Sequence, residues 1–175
     1  MAVRLEGAVA LRKALRAFTP DLAKETQKEI ANFLKPVVKE ARGYLPSQSQ
    51  TLSNWSSAKK TETAKFPRYD FALAKRGITY KTTPSKANYR GFRALASIFN
   101  KTAAGAIYET AGRKNPNSTF VKNMDAKFNG RIVGKGKQSG RTIFRAFEED
   151  RGKAQDGVIR AIEKAANKFK AATHV

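Results

Sequence analysis

Residues 19–44, TPDLAKETQKEIANFLKPVVKEARGY, decide how the rest of the chain is read. Thr19-Pro20-Asp21 combines an N-cap residue, a proline preset for the first helical position and an acid beside the positive end of the helix dipole. From there Leu22, Thr26, Ile30, Phe33, Val37, Ala41 and Tyr44 recur at spacings of three and four, which puts them on one face of a long helix. Pro36 falls inside it, removing one hydrogen bond and crowding the preceding turn, so a kink is expected near Asn32–Lys35. Gly43 and Pro46 end the helix.

Upstream of this helix, Gly7 precedes Ala8, Leu11, Leu15 and Phe18, a second helical face. Downstream, residues 46–66 are polar and rich in Ser and Thr, a loop or arm carrying the lone Trp55. Tyr69–Lys75 and Ile78–Thr82 alternate about Arg76-Gly77 and read as a β-hairpin. Pro84–Arg90 reads as loop, Phe92–Phe99 as a strand and Thr102–Thr110 as a short helix closed by Ala111-Gly112. Residues 112–141 are rich in Gly, Asn, Lys and Arg, a second long loop with a short helix around Thr119–Phe128 and a strand at Arg131–Val133. From Ile143 a helical period returns through Phe147, Ala154, Val158, Ile162, Ala165 and Phe169. Glu148, Glu149 and Asp150 fall in its early turns and Lys168 and Lys170 in its last, matching the dipole. The expectation is an α+β fold in one domain over 1–175: a small antiparallel sheet packed with long N-terminal and C-terminal helices, plus extended basic loops.

Composition narrows the function. The chain of 175 residues has 35 Lys+Arg against 14 Asp+Glu, one His (His174) and no Cys. These counts exclude a disulfide scaffold, thiolate metal sites, a cysteine nucleophile and a histidine-based triad. The start, MAVRLEGAVALRKAL, carries charges at positions 4, 6, 12 and 13, unlike the apolar centre of a signal peptide. Leu, Ile, Val and Phe together number 36, a modest core for a net charge of +21, so order is expected to be gained from copies of the chain or from a polyanion. The charge is concentrated: residues 46–145 hold twenty basic and four acidic side chains, net +16, while residues 1–45 and 146–175 are near balance at +4 and +1. A basic middle suits phosphates or an acidic protein surface.

No motif points to catalysis, a metal or a cofactor. Gly134-Lys135-Gly136-Lys137-Gln138-Ser139-Gly140-Arg141 lacks the Walker spacing, although glycines with interleaved cations let a phosphate chain approach. Arg131, Lys135, Lys137 and Arg141 are therefore the candidate nucleic-acid contacts. Glu148-Glu149-Asp150 point in three directions on a helix and read as helix-start charge. Trp55, Tyr108 and Glu109 are the candidate subunit contacts, Trp55 as an anchor on a neighbouring surface and the other two within GAIYETAGRK.

Four segments together resemble the tail-completion or neck proteins of long-tailed bacteriophages, of the lambda type. They are VRLEGAVALRKALRAF at 3–18, KEARGYLPSQSQTLSNW at 39–55, AAGAIYETAGRK at 103–114, and GRTIFRAFEEDRGKAQDGVIRAIEKAANKF at 140–169. Gln50-Thr51-Leu52 stands where that family usually has Gly before Leu. The resemblance implies a virion structural protein rather than an enzyme, without cofactor or membrane partner. It implies a ring, commonly of six copies, around viral double-stranded DNA at the head–tail junction, assembled in the host cytoplasm. Head-closure proteins and tail-terminator or tail-tube proteins would be its neighbours. The other reading from the residues is a stand-alone basic nucleic-acid-binding protein.

Overall fold

Helix signals in the sequence are met at both ends of the chain. A computed structural model describes residues 7–52, 55, 67–128, 130 and 132–173. In chain order it has helices α1 (Ala8–Phe18) and α2 (Pro20–Gly43), a 3-10 turn at Gln48–Gln50, α3 (Phe71–Gly77), strands β1 (Ile78–Lys81) and β2 (Ser97–Asn100), α4 (Ala103–Thr110), α5 (Thr119–Phe128), strands β3 (Val133–Lys135) and β4 (Gln138–Gly140), α6 (Ile143–Glu149) and α7 (Lys153–Thr173). β1 pairs with β2, and β3 with β4 in an antiparallel hairpin. The fold is α+β with long helices at its two ends. Among the described residues no helix is long and apolar enough to cross a membrane.

The chain forms two compact units, each assembled from separated segments. The first comprises Met1–Pro36, Tyr80–Ser97 and Gly152–Val175. In it α2 and α7 run antiparallel: Glu25 pairs with Lys168 at 2.7 Å, Glu29 with Lys164 at 3.1 Å, and Phe33 lies over Gly157. A Cβ at Gly157 would sit 2.2 Å from the Phe33 ring, so the close approach requires glycine there. Leu15, Ala23 and Ala165 form a buried cluster with Leu11, Leu22 and Phe169 against it. The ion pairs are exposed and worth ~0–1 kcal/mol each; the apolar cluster contributes more.

The second unit comprises Val37–Thr79 and Ile98–Arg151. Its buried residues include Val37, Val38, Ala41, Leu45, Trp55, Tyr69, Tyr108, Val121 and Met124. Trp55 packs on Tyr69 and edge-on to Phe120, with ring centroids 5.0 and 5.4 Å away, and donates its indole N–H to the Pro67 carbonyl at 2.8 Å. Tyr69 donates to the Pro46 carbonyl at 2.8 Å.

Several expectations are corrected. Phe71–Gly77 is a helix, not the first arm of a hairpin, because Asp70 caps it by accepting from the Leu73 N–H at 2.9 Å. The strand expected over Phe92–Phe99 is confined to Ser97–Asn100, and that expected at Arg131–Val133 is Val133–Lys135. The C-terminal helix is two helices, broken where Arg151 and Gly152 take φ of 51° and 84°. Glu148 and Glu149 therefore end α6 instead of starting a helix. Phe18 and Phe147 are exposed at 77% and 38% rather than core, and in α1 the position facing inward between Ala8 and Leu15 is Arg12.

Candidate nucleic-acid interface

The expected phosphate-contact segment folds as a hairpin. Val133, Gly134 and Lys135 face Gly140, Ser139 and Gln138, and Gly136-Lys137 make the two-residue turn. Gly136 has φ 56°, and glycine at the first turn position suits the twist of the flanking strands. Gly134 has φ 94°, and a Cβ there would meet the Gln138 carbonyl oxygen at 2.3 Å. Lys135 and Lys137 are exposed on this hairpin. Arg131 lies outside the described residues.

Arg141, four positions beyond Lys137, has a different role from the one expected. It is 1% exposed. Its guanidinium donates to the Asp125 carboxylate, through Nη2 at 2.7 Å and Nε at 3.3 Å, and to the Tyr108 and Ala111 carbonyls. Those carbonyls close α4, so Arg141 caps the negative end of that helix and offers nothing to a phosphate.

Glu109 is the reciprocal element. Buried at 5% exposure, its carboxylate accepts from the main-chain N–H of Thr142, Ile143 and Phe144 at 2.7, 3.2 and 3.1 Å, and from the Thr142 hydroxyl. It thus caps the positive end of α6 from another helix. Gly140 is required beside it, since a Cβ there would stand 2.0 Å from Glu109 Oε1. Trp55, Tyr108 and Glu109, expected at a subunit contact, are all buried within their own chain, at 3%, 1% and 5% exposure. Burial pushes the Tyr108 hydroxyl up to about 12, partly opposed by the Arg141 charge.

Exposed positive charge collects on a second element that the sequence reading treats as loop and strand. Between Asp70 and Glu109 there is no acidic residue, while Lys75, Arg76, Lys81, Lys86, Arg90, Arg93 and Lys101 fall there. β1 and β2 are joined by a long arm whose residues 85–93 are all exposed. The Ser85 N–H donates to the Ala94 carbonyl at 2.8 Å, and the Asn88 N–H to that of Phe92 at 2.9 Å. At the tip the Asn88 side chain accepts from the N–H groups of Arg90 and Phe92, each at 2.9 Å, and Gly91 turns the chain at φ 74°. Arg90 lies over the Tyr89 ring at 5.2 Å, and Tyr89 and Phe92 are 89% and 49% exposed.

The base of the arm is held by α1. Arg12, 5% exposed, donates to the Leu95 carbonyl at 2.8 Å and to the Thr82 carbonyl, one on each side of the arm. Burial, and secondarily the charge of Arg16, lower its pKa. The signal that marks this arm in the sequence is the acid-free window with an Asn-x-x-Gly turn inside it.

Among the described residues no three Asp, Glu, His or Cys side chains gather as a metal site. Comparison with known protein families, curated proteins and solved structures gives no match to the chain.

Proposed function

We propose that the chain is a structural protein of the head–tail junction of a long-tailed phage virion, of the tail-completion or neck kind. Copies of it form a ring around the DNA path and join the head-closure proteins to the tail tube. One observation carries the reading: buried and exposed charges are assigned to different tasks. Glu109 and Arg141 are consumed in capping helices, and Arg12 in fixing an arm. Exposed cations stand on the β3–β4 hairpin, at Lys135 and Lys137, and on the arm between β1 and β2, at Lys86, Arg90 and Arg93, among others elsewhere on the chain. Each of these elements can bind a polyanion through its own charge. The sequence resemblance supplies the ring and its neighbours.

The exposed Tyr89 and Phe92 beside Arg90 favour one other reading, a stand-alone basic nucleic-acid-binding protein. Light scattering of the purified protein at low and moderate salt, with and without short duplex DNA, separates the two. The neck reading expects rings, or a monomer that assembles into rings as concentration rises, without DNA. A chain that stays monomeric at every concentration and binds duplex with a steep salt slope refutes it in favour of the other.

A further inference from the structure

We infer that the β1–β2 arm, with Lys86, Arg90 and Arg93 at its exposed end, is a contact surface for the phosphodiester backbone of duplex DNA. The inference deepens the DNA part of the proposed function and rests on the arm's own geometry. Residues 85–93 are exposed without exception, and the sequence from Phe71 to Tyr108 holds no carboxylate. A solvated basic face needs no fixed shape, yet this one has it. Asn88 closes the tip with two side-chain bonds to main-chain N–H groups, and the Ser85 hydroxyl accepts from the Ala94 N–H at 2.9 Å lower down. Arg12, desolvated in the process, clamps the base through carbonyls on both sides. Burying an arginine is costly, and its hydrogen bonds to the two carbonyls offset part of that cost while fixing the base of the arm.

The chemistry at the tip fits phosphate oxygens. Arg90 rests on the Tyr89 ring, which holds the guanidinium plane and leaves its N–H edge free to meet an anion. Lys86 and Arg93 supply two more cations on the same arm, and the Tyr89 hydroxyl adds a neutral donor of the kind that reads backbone rather than base edges. Three phosphates neutralised by one rigid element give a contact that is strong at low salt, insensitive to sequence and readily released, which suits DNA that must pass.

The test is the salt dependence of binding to a short duplex of mixed sequence, for the full chain and for the triple variant Lys86→Gln, Arg90→Gln, Arg93→Gln. Each neutralised phosphate contributes about −0.9 to the slope of log K against log salt, so the variant's slope should be shallower by about 2.7, a loss of about 500-fold at 0.1 M salt. All three side chains are exposed, so the melting temperature should not move, and a fall in it is controlled by the single variant Lys86→Gln, expected to change the slope by about 0.9. A triple variant that binds duplex with the parent's slope and affinity overturns the inference, as does a parent chain that fails to bind duplex at low salt. Binding of polyglutamate of matched charge, lost in the variant while duplex binding persists, overturns it in favour of an acidic protein surface. Light scattering on the same samples reads ring formation separately: rings in a chain whose arm ignores DNA refute the arm and leave the neck reading standing.

Discussion

Replacing Glu109 by Ala is expected to destabilise the second unit by about 3–5 kcal/mol. Its carboxylate takes four donors, two of them the first N–H groups of α6 and a third that of its N-cap residue Thr142, none with a partner within that helix. Loss of a capping acceptor costs about 1–2 kcal/mol. Loss of the negative charge from the positive end of a partly buried helix costs up to about 2 more. The Thr142 hydroxyl, in a residue 1% exposed, loses its acceptor for a further ~1–3 kcal/mol, and water entering the space left by the side chain offsets part of the total. Glu109→Gln keeps the shape but places an NH2 group against donors, so about 2–3 kcal/mol is expected. The lone Trp55 sits in the same unit, buried against Tyr69 and Phe120, so its fluorescence reports unfolding there. In urea, with a slope of about 2 kcal/mol per molar, the midpoint for Glu109→Ala should fall by about 1.5–2.5 M. A midpoint equivalent to less than ~0.5 kcal/mol from the parent, the range of ordinary surface changes, would refute the capping argument.

Three further outcomes are expected. Asn88→Ala leaves every cation of the arm in place but frees its tip; duplex affinity should fall several-fold at an unchanged salt slope, and an altered slope would mean Asn88 does not act through tip order. Phe169→Ala, which strips the cluster around Leu15, should cost about 2–3 kcal/mol, and Phe147→Ala, more exposed, about 1 kcal/mol; thermal melts showing the reverse order would contradict the packing. Burial raises the pKa of Tyr69 and Tyr108, and burial with the Glu149 hydrogen bond raises that of Tyr44. A phenol whose folded pKa lies above its unfolded value stabilises the fold fully below about pH 10 and loses that contribution as pH rises through the folded value. In an alkaline titration these three phenolate absorbances should lag, and the urea midpoint should decline as pH passes 10 towards 12; early ionisation of all the tyrosines would place them in solvent.

The parts of this fold legible in the sequence are those fixed by local signals. Thr19-Pro20-Asp21, the 3.6-residue period of α2 and the Ala111-Gly112 close of α4 each decide their element within a few residues, and α5 occupies the residues assigned to it. What was illegible depends on residues far apart. Phe71–Gly77 alternates like a strand, but Asp70 and the dense packing about Asn100 hold it as a helix: a Cβ at Gly77 would stand 2.5 Å from the Asn100 side chain. Arg12 and Arg141 look like surface cations because nothing near them in sequence announces the carbonyls they serve. For the same reason Lys135, Lys137 and Arg141 look alike in the sequence, although only the two lysines are exposed. The arm is marked in the sequence only by a missing residue type, an absence of acid from Phe71 to Tyr108.

The reciprocal caps joining Glu109 to Thr142–Phe144 and Arg141 to the end of α4 also govern when parts of the chain acquire shape. A seven-residue helix such as α6 is far below the length of about 12–15 residues that can persist alone in water, so its helicity waits for a carboxylate 33 positions upstream. Closing a loop of that size costs about 3 kcal/mol of chain entropy, the same order as the caps return. Formation of α6 and closure of the loop are therefore one cooperative event, and the β3–β4 hairpin lies inside that loop. During synthesis the exposed lysines at 135 and 137 would therefore take up their fixed presentation only after residue 144 has left the ribosome and the loop has closed on Glu109.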